Sequence, residues 1–580
     1  MYRCAVVLAA LCCVVSSAVG QSETKIIQHN RAYQDPNEPA FPNKYYYEVY
    51  AVQKAVVIHH GLDGEPFEFE AILADTDDPN DPYRGPGDIN SIVADRDAGP
   101  VAIKVVRPGA LESPGAANVG TIDLSARGVS GSIARLLISG NLTDPNDPST
   151  TVLAGAVSGA ITVVGDITQD VQVGVLLADL SCYHLGNLTV TGPQPPDWPG
   201  PNIRVGWDYT WPHVIDINAG LYSLWIDGEI SGSIHVSQSV QSVWLDEMSG
   251  SLVIDGNLTD LVFGSWWTGT GTIGGNLLHV SIPYMGLVDW GSLEVMGDLG
   301  GGSSYTALEG TDIGGTLTVH GNLLGDVDLS YLSETGRLEI DQDARGLIKI
   351  GSWSGVEGTL AVGLDMEQGV IVYGDLDGNI DVGQNLLAPS PGSGLIVYGD
   401  LNGSVYVTGD LEGDVHASHL NGTVQARSMG SSWRMILYNF AGTVTTTENM
   451  SAWTPITQNL SGTLHAGSAI DNYVGILGDL SGDVSAGGDI SAPIHVWGDV
   501  SGTLSAGPEH DLSGPVEIGG NFTGALEAGY AITDSVEIAG DFGGRIHTGT
   551  DLAATVSVGG GMGSSAVVDV DGSVTGALTF

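Results

Sequence analysis

The chain has 580 residues, 42% of them hydrophobic and 15% charged, with 68 acidic against 18 basic side chains and a net charge of −50. That apolar content excludes a disordered acidic tail and permits a large buried core. The scarcity of Lys and Arg excludes nucleic acid and anionic membranes as partners, because both are bound by clustered cations. From Gly206 onward the only basic residues are Arg337, Arg345, Lys349, Arg427, Arg434 and Arg545.

In chain order, residues 1–20 read as a secretory signal. Arg3 supplies the positive start, residues 5–15 form a short apolar run, and Ala18-Val19-Gly20 is a small-x-small cleavage site before Gln21. The run is too short to span a bilayer, and no second apolar span occurs, so no transmembrane segment is expected. The expected location is secreted or cell-surface. Of four cysteines only Cys182 lies beyond the signal, so no disulfide is expected within the mature monomer.

Residues 21–90 read as a β-rich N-terminal cap, with Tyr45-Tyr46-Tyr47 and two longer strands over 46–60 and 67–74. Its role would be to cover the open edge of the first coil. The motif D-P-N-[DE]-P at 35–39, 78–82 and 144–148 reads as turns. Residues 91–580 read as a parallel β-solenoid, interrupted at 193–212 (PQPPDWPGPNIRVGWDYTWP) by a Pro-rich inserted loop. Eight of the 12 tryptophans fall between 198 and 290. Trp198, Trp207, Tyr209 and Trp211 on that loop are the candidate glycan platform, the alternative being rings that cover a coil edge.

The repeat carries the fold class. Residues 478–487 (GDLSGDVSAG), 488–497 (GDISAPIHVW) and 498–507 (GDVSGTLSAG) share a ten-residue unit, G-D-L-x-G-x-V-x-[AV]-x, which returns at 399–408 and 409–418. Paired units lengthen the period: Val516-Glu517-Ile518 recurs as Val536-Glu537-Ile538 and as Val556-Ser557-Val558. Such a period signals a solenoid whose coils must stack to bury one apolar face. Alternation in Val484-Ser485-Ala486 puts every second side chain inside. Glycine at each corner allows positive φ, and the following Asp or Asn can bond the turn backbone as an Asx-turn. The number of sheets per coil is left open.

The G-D-L-x-G-x-V units, mainly over 371–426 and 474–580, resemble those of bactofilin-type polymer-forming β-solenoids. Coil length resembles the pectate-lyase-like right-handed β-helix superfamily. The first resemblance implies self-association, and the second implies polysaccharide chemistry.

Four constellations bear on function. RLEIDQDAR at 337–345, followed by Lys349, is the one stretch holding both the acids and the base that a uronate lyase needs, but the reading taken is a solvated, ion-paired outer face. His235, His416, His465, His495 and His547 each follow an inward residue and read as outward surface positions rather than metal ligands. Asp375-x-Asp377-Gly378 lacks the remaining carboxylates of a calcium loop and reads as a repeat unit. The aromatics at 198–211 complete the set. No cofactor, metal or catalytic residue is assigned. The expected function is an exported, non-catalytic structural, surface or adhesive protein. Its expected partners are itself, end to end or tail to tail through the last coil, and a cell-surface polysaccharide. The alternative is a carbohydrate-active β-helix enzyme, a polysaccharide lyase or hydrolase, or a glycan-binding module.

Overall fold

The computed structural model describes residues 25–28, 46–50, 55–60, 67–72, 89–94, 101–106, 119–124, 132–138, 142, 151–168, 170–192, 200–208, 214–282, 291–301, 306–351, 355–390, 392–430 and 434–580. The signal segment and the three D-P-N motifs lie outside them. The described residues are strands and turns without a helix, so none is long and apolar enough to cross a membrane. The chain is an all-β parallel β-solenoid made of two compact units, 1–275 and 276–580.

In the second unit the ten-residue repeat maps onto one strand and one corner. Val474–Ile476 is a strand, Leu480 a single bridging residue, Asp483–Ala486 a strand and Ile490 a second bridging residue. Each then pairs in parallel with its equivalent one coil on: Val474 with Ile494, Leu480 with Val500, Val484 with Leu504, and Ile490 with Leu512. Two repeats therefore make one coil with four sides, two carrying strand ladders and two carrying single-residue columns.

Alternation sets the inside. Leu480, Val484 and Ile490 are 0% exposed, while Ser485 faces outward. Each fully buried aliphatic chain contributes roughly 1.5–3 kcal/mol. The corner columns take the larger rings where space allows: Phe522 and Phe542 stack inside at 5.7 Å with planes 7° apart.

At Gly502 the corner glycine is explained by close approach and not by positive φ. A Cβ at Gly502 would stand 1.8 Å from the Gly482 carbonyl oxygen of the previous coil, and Gly502 has no left-handed φ. The following Thr503 N–H donates to that same coil, at Gly482 O, 3.0 Å. Any side chain here would push two coils apart.

In the first unit the ladders open on antiparallel pairs. Tyr46–Tyr50 runs antiparallel to Ala55–His60, which pairs in parallel with Ile89–Ala94. Lys25–Gln28 runs antiparallel to Phe67–Ile72, which pairs in parallel with Val101–Val106. The single strand expected over 46–60 is thus a hairpin pair. Part of the segment expected to loop out is also strand: Asn202–Asp208 pairs in parallel with Leu180–Cys182 and with Leu221–Ile230. The run IRV inside the Pro-rich stretch has the alternation of a rung, and Ile203 and Val205 are buried accordingly. Cys182 is buried.

Candidate functional site

In two corner columns the Asp or Asn does not close a local Asx-turn; its Oδ1 accepts the backbone N–H of the equivalent residue one coil later. Along one corner of the second unit the donors are Asp479 to Asn459, Asp499 to Asp479, Asn521 to Asp499, Asp541 to Asn521 and Gly561 to Asp541, all at 2.7–2.9 Å. The other corner repeats this from Asn276 through Asp298, Asn322, Asp343, Asp365 and Asn385 to Asp410, at 2.7–3.4 Å. Asn serves as well as Asp because both offer an Oδ1 acceptor. The electrostatic signature is visible at Asp489, where the Asp511 N–H and then His510 hold the carboxyl below its usual range. At Asp410 the Arg427 guanidinium is the main cause of the same lowering.

One Asx corner forms the floor and wall of a groove of about 1000 Å³ running from His419 to the turn at Ser565. Successive coils in its middle contribute an Asx side chain and, two residues later, a small polar one: Asp479 with Ser481, Asp499 with Ser501, Asn521 with Thr523. No Lys or Arg lines it, and His419 at one end is already paired with Asp400 at 2.5 Å.

An exposed column of mostly apolar side chains, interrupted by Ser418 and Thr457, follows the end of the preceding strand ladder. Tyr373 and Tyr398 stack at 5.5 Å, and Tyr398, Tyr438, Leu477 and Trp497 are 54%, 48%, 53% and 43% exposed. Leu477 and Trp497 are each separated from the groove's Asp479 and Asp499 by one glycine.

The expected glycan platform lies almost wholly outside the described residues. Trp198, Tyr209 and Trp211 are among the undescribed, and Trp207 is placed only as a backbone position in the Asn202–Asp208 strand. The lyase-like stretch is spread over three sides of its coil. Arg337–Ile340 is one strand, Ala344 a bridging corner, and Lys349 the middle of Ile348–Ile350. Its charges pair nearby: Arg337 with Glu339 at 3.1 Å, Arg345 with Asp343 at 3.0 Å and with Glu367 at 3.4 Å.

The outward histidines do more than fill surface. His235 lies between Asp216 at 2.9 Å and Asp255 at 3.1 Å, His495 reaches Glu517 at 3.3 Å, and His465 bonds Ser485 at 2.8 Å. His416 packs edge-on to Tyr398. His547, Asp569 and Asp571 bring three ligand-type atoms within 4.8 Å of one another, but Arg545 holds Asp569 at 2.9 Å and supplies the positive charge there. Asp375 and Asp377 behave as repeat residues, accepting from Asp400 N–H and Asn402 Nδ2 one coil away.

Sequence reasoning missed the groove and its flanking column. Writing the sequence in rows of 20 would have aligned Asn459, Asp479 and Asp499 into one column. No protein-family profile, no curated protein and no solved structure matches the chain.

Proposed function

We propose that this is an exported, non-catalytic structural protein of the cell surface or extracellular space, one that associates with itself. The observation that carries the reading is the use made of the carboxylates. Those that recur along the corners accept backbone N–H groups from the next coil, and the acids of the lyase-like stretch are ion-paired. A hydrolase or lyase needs carboxylates free to move a proton, held within reach of one bond. Here the corner carboxylates give one oxygen each to holding coils in register.

Self-association is supported by the outermost coil described. Phe542, Ile546, Leu552 and Val556 are 0% exposed, whereas Met562, Val574, Leu578 and Phe580 in the next coil are 39–53% exposed. The strands Val567–Val570 and Leu578–Thr579 pair on one side only among the described residues. A second copy of the chain seated on these exposed apolar side chains would bury them.

Light scattering on the full chain over a concentration series tests this. Dimers or larger species are expected, and Leu578→Asp with Phe580→Asp should return the chain to monomer with an unchanged β-sheet spectrum. A strict monomer at high concentration removes the self-association. Release of reducing ends or unsaturated uronates from a polysaccharide panel overturns the non-catalytic reading.

A further inference from the structure

We propose that the corner groove of the second unit, with the mostly apolar column along its rim, binds an extended neutral polysaccharide. This goes beyond the structural role and does not depend on it, since a scaffold carries the groove whether or not it self-associates.

The argument starts from which atoms remain free. In Asp479, Asp499 and Asn521 the Oδ1 is used by the coil ladder. The second atom of each, Oδ2 or Nδ2, has no hydrogen-bond partner among the described residues, and the Ser481 and Ser501 hydroxyls have none either. The groove therefore offers, coil after coil, a mixture of acceptors, amide donors and hydroxyls that both give and take. That mixture suits ligand groups that are themselves donor and acceptor at once, which is the chemistry of sugar hydroxyls. Rungs recur about every 4.8 Å along the groove, close to the advance of one residue in an extended β-linked glycan. A polymer can thus repeat the same contacts from coil to coil.

The rim supplies the second half of carbohydrate recognition. Tyr438, Leu477 and Trp497, with Thr457 at the coil between the first two, stand exposed beside the polar row, and the Trp497 face not stacked on His495 is open to the C–H face of a sugar while the groove takes its hydroxyls. Charge narrows the class. Carboxylates without a lining Lys or Arg repel uronates, sulfated glycans and nucleic acids. An extended peptide is disfavoured because the groove presents side chains, its backbone N–H groups being bonded coil to coil.

Affinity electrophoresis of the full chain through gels containing xylan, galactomannan, hydroxyethylcellulose or mixed-linkage β-glucan is the test, with polygalacturonate as the charged control. Retardation by at least one neutral polymer and none by polygalacturonate is expected. Tyr438→Ala with Trp497→Ala should weaken binding at least about tenfold at an unchanged melting temperature. Should that pair unfold the chain, Ser481→Ala with Ser501→Ala, which removes only exposed hydroxyls, must still weaken binding. Three results overturn the proposal: no retardation by any neutral polymer, retardation by polygalacturonate alone, or binding that survives both groove variants.

Discussion

At the scale of single residues, outward polar side chains such as Asp479 and His235 bond the neighbouring coil. His235 is the clearest titratable case. Its Nε2 faces Asp255 and its Nδ1 faces Asp216, on either side of it in the stack. Its pKa is raised above the ordinary 6.5, with the Asp255 hydrogen bond the main cause, burial opposing it and Asp216 adding to it. A raised folded-state value means that the folded chain holds this proton more tightly than the unfolded chain does. The contribution is therefore complete below the ordinary histidine value and is lost as pH climbs through the raised one. In melting curves taken from pH ~5.5 to ~8.5, His235→Gln should cost stability at the acid end and converge with the parent at the alkaline end. A pH-independent difference would mean that His235 acts by packing alone. The sequence placed this histidine outward, and it is outward. It did not disclose the two aspartates, because contacts 19 and 20 residues away become neighbours only once the coil length is known.

At the scale of elements, the ten-residue unit was legible as an alternating strand with a glycine corner, and the inward positions Val484 and Ala486 are buried as that alternation requires. The number of sides was not legible. A corner reduced to one bridging residue, such as Leu480, has no alternation of its own to read. Asn202–Asp208 was hidden by six prolines in its surroundings, although Ile203-Arg204-Val205 keeps the two-residue period of a rung. The corner glycine carries the sharpest consequence. Gly502 cannot accept a Cβ because the Gly482 oxygen would lie 1.8 Å from it, with backbone on both sides of the clash and no flexible side chain to yield. Were positive φ the reason for glycine here, Asn would be a mild replacement. Close approach makes Ala and Asn equally damaging, each by about 2 kcal/mol or more. Denaturant titration of Gly502→Ala and Gly502→Asn decides between them, and a tolerated Asn would restore the turn-conformation explanation.

At the scale of the whole molecule, a net charge of −50 must be reconciled with aspartates that stack at successive coils. Two such charges about 4.8 Å apart repel by about 0.9 kcal/mol in water, and salt screens much of this. The opposing gain is the N–H bond to each Oδ1, roughly 1 kcal/mol net and more when the acceptor is charged. The ladder bond depends on the Oδ1 and not on the charge, as Asn459 and Asn521 demonstrate by holding the same bonds at 2.8 and 2.9 Å. Charge and register are therefore separable. Replacing Asp479, Asp499 and Asp541 together by Asn keeps every ladder acceptor and removes three negative charges from one corner. At low ionic strength the triple Asn variant should melt higher than the parent, and the gap should close as sodium chloride is raised toward 1 M, where the screening length is about 3 Å. The triple Ala variant should melt lower at every salt concentration, since it strands the N–H groups of Asp499, Asn521 and Gly561. Equal melting of parent and Asn variant at low salt would show that the stacked carboxylates do not repel. A lower melting of the Asn variant would show instead that the charge itself strengthens the N–H bond by more than the repulsion costs.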